Sequence, residues 1–346
     1  MVQCINLRTI SSLISVLTLL ATIICLPVFE ANEIDIPIEC LNETKSSTDY
    51  NIFDFFLTYD EASQWLTALA TENPEKCQLQ SLGVSVEGRE INAISIFQDK
   101  PKKIVLIGNM YARHWVGMTS ALYIIHELIR NAASYASSTD FHWIIVPMPN
   151  PDGYQYSKEH NRKWLKNRAP QPDGNIGVSI DNNFDIQWGS MTAHYNLKTT
   201  GQVYRGPSPF SEPETRAIKD LLESNTDALL VLNLQSNGRL ICTSWSYTED
   251  PVPDIDLVRA VAYAGQKAIL EQSQQEFDVS IVSDYGPFEY GSCLDYCTSI
   301  GIKVCLILKQ LDNTHEMMTD QIIPLGQEAF ASILAMAIES DWQQWN

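Results

Sequence analysis

Apolar positions follow two rhythms along most of this chain. Over residues 60–71 they recur at helical spacing and stop before Pro74, which predicts an amphipathic helix. Residues 78–86 and 90–97 read as strands on either side of a Glu87-Gly88 turn. A strand at 103–108, a helix at 117–130 and a strand at 142–148 follow. A helix over 212–222 is marked by Ser211 as its cap and Pro213 in its first turn. Residues 228–234 form an almost unbroken apolar run, the pattern of a strand covered on both faces. A helix at 254–272, a strand at 303–309 and a helix at 320–340 complete the set. Strands alternating with helices predict an α/β domain with a largely parallel or mixed sheet. Residues 166–200 are helix-poor and read as ordered surface loops.

The N-terminus adds a second kind of signal. Arg8 precedes an apolar stretch over 13–25, with a cleavage position near Ala31. That stretch is shorter than the roughly 20 apolar residues a spanning helix needs. No later stretch reads as a membrane span. The expected organisation is a signal peptide at 1–31, a short polar segment at 32–48 and one domain at 49–346. The expected location is secreted and extracellular. The net charge of −19 argues against nucleic acid or an anionic membrane as partner. Beyond the leader stand Cys40, Cys77, Cys242, Cys293, Cys297 and Cys305, an even set that predicts disulfides without fixing their pairing. Asn42-Glu43-Thr44 is a glycosylation sequon. A Gly-x-Ser-x-Gly elbow is absent, and His126-Glu127 lacks the second His of a zinc helix.

Several blocks then carry a resemblance. Gly108-Asn-Met-Tyr111-Ala-Arg113-His114-Trp115-Val116 resembles the metal-binding loop of the zinc metallocarboxypeptidases of the A/B kind, whose core reads His-Ala-Arg-Glu-Trp-Ile. Gly83 to Arg89, Asn150-Pro-Asp-Gly153, Asn161-Arg162-Lys163-Trp164, the Tyr204 to Thr215 segment, Asp295 to Asp312 and Gln321 to Pro324 are similar to further family blocks in the family's order. The resemblance spans residues 50–339. It implies a single-domain α/β fold, a mixed twisted sheet flanked by helices, with the site at the sheet's carboxyl end. It also implies that the short stretch before the first block leaves no room for the family's large N-terminal pro-domain.

The reactive positions differ from the family pattern. The family holds zinc with His, Glu and a second His. The resemblance places Tyr111, His114 and Gln235 there. A phenol with a pKa of about 10 and a neutral amide are poor partners for zinc, which prefers imidazole, thiolate and carboxylate. The family's general base is a Glu; Lys309 stands in its place, and a cation does not deprotonate water. The clamp for the substrate carboxylate is an Asn-Arg pair, replaced here by Asp181 and Asn182. Leu165, then Lys166, follows Trp164 where the family's carbonyl-polarising cation is expected. The substrate-capping tyrosine falls near Pro287, with Tyr285 and Tyr290 close by. Arg113, Arg162 and the pocket-base residue Leu294 keep the family's character and, with Asp181 and Asn182, outline a possible ligand cleft.

Three readings follow. The first is a secreted, monomeric, catalytically inactive relative without a metal cofactor that binds a peptide or protein. The second is an active hydrolase with a site rebuilt around His114, Lys309 and Asp181. The third is a storage or structural protein. Asp181 and Lys309 reverse the family's charges and are each costly to bury alone. They are expected to neutralise one another directly, through Arg113 or through a water.

Overall fold

The computed structural model describes residues 45–190, 197–285 and 288–345. The leader, Cys40, the Asn42 sequon and Pro287 lie outside the described residues. Eight strands form one sheet: β1 (Cys77–Val84), β2 (Glu90–Ile96), β3 (Lys102–Ile107), β4 (Phe141–Val146), β5 (Leu230–Ser236), β6 (Leu240–Thr243), β7 (Asp278–Ile281) and β8 (Cys305–Gln310). Their order is β1-β2-β4-β3-β5-β8-β6-β7. The central strands β4, β3, β5 and β8 run parallel; β1 pairs antiparallel with β2 and β2 with β4, and β6 pairs antiparallel with β8 and parallel with β7. The helices among the described residues are α1 (Tyr59–Glu72), α2 (Trp115–Arg130), α3 (Pro151–Glu159), α4 (Pro213–Glu223), α5 (Ile255–Ser273), α6 (Cys293–Ser299) and α7 (Ile322–Trp345).

Alternation along the central strands sorts the core into two layers. Ile104, Leu106, Leu232, Leu234, Leu306 and Leu308 pack in one layer with residues of α1, α2, α5 and α7. Val105, Ile107, Val231 and Ile307 face the other layer, with α4 and α6. Both faces are covered, which is why these strands read as continuous apolar runs. Helix α1 starts on a capping box: Glu61 N–H donates to Thr58, and the Glu61 carboxylate accepts from Thr58 N–H.

Some expectations are corrected. Ser211 does not cap α4; its hydroxyl donates to Glu212 and accepts from Asn183, and the capping position is Glu212. Residues 166–190 are surface loops only in part: 172–174 are exposed, while 177–184 are buried. Asn167 accepts from the Ala169 and Val178 N–H groups and donates to Glu212 and Glu214, while Asn183 donates to the carbonyls of Arg205 and Ser208. These side chains stand in for regular backbone pairing, so the segment can lie buried. Helix α7 overlaps a span, Thr319–Gln344, that is long and apolar enough to cross a membrane by length and composition, with mean hydropathy 1.3, contrary to the sequence reading. Its Phe330, Ile333, Met336 and Ala337 are buried in the core instead. Among the described cysteines, Cys297 and Cys305 are bonded to each other, and Cys77, Cys242 and Cys293 are free and buried.

Candidate functional site

The loop after β3 is shaped by its backbone. Asn109 takes a left-handed conformation, and its buried amide donates to the carbonyls of Tyr111, Ala112 and His114. This folds residues 110–114 into a tight path ending at His114, the capping position of α2. Gly117 lets that helix press on β5: a Cβ there would lie 2.5 Å from the Leu234 carbonyl oxygen. The next residue on β5 is Gln235, whose register partner on β8 is Lys309. Parallel neighbours in register project to one face. Gly291, at φ 74°, brings the segment before α6 against the Asn182 carbonyl, where a Cβ would lie 2.4 Å away.

Tyr111, His114, Gln235 and Asp181 come together at the carboxyl ends of β3, β5 and β8. Gln235 Nε2 donates to Asp181 Oδ2 at 3.1 Å, and the Cys293 backbone N–H donates to Oδ1 at 3.3 Å. The Tyr111 side chain is also hydrogen-bonded to Asp181. Tyr111 and His114 meet edge to face at 5.0 Å. Ser236 N–H donates to His114 Nδ1 at 3.4 Å. Over the other side of His114 lies His315, its ring stacked 4.6 Å away and 14° from parallel. His315 Nδ1 lies 2.9 Å from Ser236 Oγ.

Burial dominates the electrostatics. His114 is 4% exposed, and desolvation, followed by His315, Arg113, Lys309 and Arg162, holds it well below the ordinary imidazole range. His315 is pushed down to about 4 by burial and the same three cations. The Asp181 carboxyl is raised by burial, against the opposing effects of Tyr111, the Cys293 N–H, Gln235 and Lys309. Burial also raises Glu289, against Lys309.

The expected Asp181–Lys309 pairing is not made directly: no ion pair within 4.0 Å includes either group among the described residues. Nor does Arg113 bridge them. The donors around Asp181 already satisfy it. Arg162 is a latch, donating to the carbonyls of Arg113 and His315 at 2.7 Å each and stacking on Trp115 at 3.8 Å. Asn182 is buried, and its Oδ1 accepts from Ser179 Oγ at 2.7 Å. Leu294 is buried in the layer with α4. Lys166 reaches the Thr199 carbonyl, and burial brings it down to about 8. Tyr290 is buried, and nothing is described of the Tyr285 side chain. His315, Ser236 and Glu289 are neighbours that sequence reading missed. A lone histidine in a polar loop gives no signal of what it will cover.

Fold and site together define a peptidase-type α/β domain whose reactive corner is filled by internal hydrogen bonds. The profile of the zinc carboxypeptidase family matches residues 62–332, and the chain belongs to that family. A zinc carboxypeptidase of Simulium vittatum is 28% identical over 293 residues, covering 82% of this chain and 96% of that one. The inactive metallocarboxypeptidase of Saccharomyces cerevisiae is 28% identical over 314 residues, covering 82% and 71%. The carboxypeptidase A structure from Helicoverpa armigera superposes with a TM-score of 0.79 at 25% identity, covering 86% of this chain and 76% of that one.

The family is zinc-dependent, but the residues here do not fit the ion. Zinc needs lone pairs from three protein ligands. Gln235 turns its N–H toward Asp181, Tyr111 is bonded to the same carboxylate, and His114 Nδ1 accepts from Ser236. Among the described residues no group of three or more His, Cys, Asp or Glu is placed to hold a metal.

Proposed function

We propose that this chain is an exported, catalytically silent member of the carboxypeptidase family that binds a peptide or protein segment without cleaving it. The observation that carries this reading is the Asp181 hub: two of the three ligand places are tied to one carboxylate. A cation at Lys309, in the base place, supports the same conclusion. The Cys297–Cys305 disulfide supports export, because such bonds persist in oxidising compartments. The test is zinc content after dialysis, together with peptides ending in apolar or basic residues. No stoichiometric zinc, no released terminal residue and saturable peptide binding are expected. One tightly held zinc per chain, with release of the terminal residue abolished by a chelator, would establish the active reading instead.

A further inference from the structure

The corner that carries metal in the family holds an unspent set of donors here. His114 Nδ1 accepts from the Ser236 N–H, so the neutral ring carries its hydrogen on Nε2. That Nε2 is buried and has no partner. Arg113 Nε, one residue away, is likewise buried without a partner. The Arg113 side chain makes no hydrogen bond or ion pair among the described residues, and neither does Lys309. Both are half-buried and so open on one side. Two unpaired cations beside an orphaned N–H are conspicuous in a chain of net charge −19. A buried donor left unmade costs free energy, and an incoming oxygen would satisfy it.

We propose that Arg113, His114 and Lys309 form a binding site for a carboxylate group. The polarity is inverted relative to the family: the corner offers hydrogens where the family's ligands offer lone pairs, so it selects an acceptor and not a cation. Arg113 and Lys309 offer two cations without a partner beside the His114 N–H, and the two oxygens of one carboxylate can accept from them. Arg162 is already held by two carbonyls and Trp115, so it contributes charge but no free donor. Arg113 and Lys309 meet the ligand from the open side. His114 Nε2 lies beneath the surface and joins directly as the ligand seats, or through one bridging water.

The proposal rests on the peptide-binding reading but names the chemistry that would be recognised. A carboxylate can come from a peptide C-terminus or from an acidic side chain. Three probes separate them: N-acetyl-tetraalanine with a free carboxylate, its C-terminal amide, and an otherwise identical amide carrying one internal Glu. One of the two acid probes is expected to bind at least about tenfold tighter than the neutral amide, the weight of one charge-assisted hydrogen bond. Lys309→Met and Arg113→Met should each erase that difference by weakening the acid probe. Lys309→Gln gives the same readout should the Met variant misfold. A second arm titrates acetate into protein labelled with 15N-histidine and follows the His114 Nε2 resonance. Equal binding of all three peptides, with no response to acetate, overturns the carboxylate site while peptide binding stands. A His114 response to acetate that Lys309→Met removes, with no peptide bound, keeps the site and overturns the peptide reading. Silence in both arms overturns both.

Discussion

At the scale of single residues, Asp181 organises the site. It is buried, its carboxyl is raised by desolvation, and it is surrounded by donors from β5, α6 and the loop after β3. Such a group is costly to bury and costlier to orphan. Replacing Asp181 with Ala leaves the Gln235 amide, the Cys293 N–H and Tyr111 without their shared partner. Each buried unmade donor costs about 1–3 kcal/mol, so a loss of about 2–4 kcal/mol is expected after partial relaxation. Urea unfolding of the Asp181→Ala variant measures it. A change within about 0.5 kcal/mol, the range of an ordinary surface substitution, would show that the network is decorative. The identities at these positions were legible in the sequence because blocks on both sides fix their place. Their bonding was not. The charge reversal pointed to an Asp181–Lys309 pair, but a carboxylate takes the nearest well-aligned donors, and here these are neutral.

At the scale of elements, the sequence showed the long apolar runs and missed the short pieces. The β6 and β7 strands have only four residues each, too short for a period to emerge. Two short helices did carry readable signals. Asn150 accepts from Gly153 N–H ahead of Pro151 in α3, and Ser292 accepts from Asp295 N–H at the start of α6. Asn before Pro and Ser-x-x-Asp are both cap patterns. The first turns of α4 and α6 also hold buried acids. Burial raises Glu214 to about 7, against bonds from Val86 N–H and Asn167, and raises Asp295 to about 7, against bonds from Ser246. A raised carboxyl binds its proton more tightly folded than unfolded. Its contribution is therefore full below the ordinary carboxylate range of about 4 and is lost as pH climbs through about 7. Thermal stability should fall between about pH 4 and pH 7, at up to about 1.4 kcal/mol per pH unit per group. Glu214→Gln, which retains an acceptor for Val86 N–H, should flatten that slope. An unchanged slope in this variant would mean that Glu214 does not drive it.

At the scale of the whole molecule, the family's scaffold is kept while other side chains stand at its ligand places. The sheet order, the Asn109 turn, the close approach at Gly117 and the Gln235–Lys309 register are all features of backbone, and none depends on a metal. Fold does not imply function, but it does preserve positions. If the corner kept its geometry while its side chains changed, then returning those side chains should return the ion. The relevant variant is Tyr111→His, His114→Glu and Gln235→His, with Asp181→Asn added. The fourth change matters because the first and third remove donors from Asp181, and an orphaned carboxylate would destabilise the fold and confuse the result. Trp115 is untouched in this variant, so the Arg162 latch that stacks on it stays in place beside the new ligands. The restored set supplies three lone-pair ligands of the types zinc prefers. We expect the folded variant to retain about one zinc per chain through dialysis while the parent retains none. Lys309 remains as a nearby cation and should weaken that affinity, so adding Lys309→Met should tighten it. A folded four-site variant that holds no more zinc than the parent would show that the backbone itself has drifted, and that the corner is no longer a metal site with its ligands exchanged.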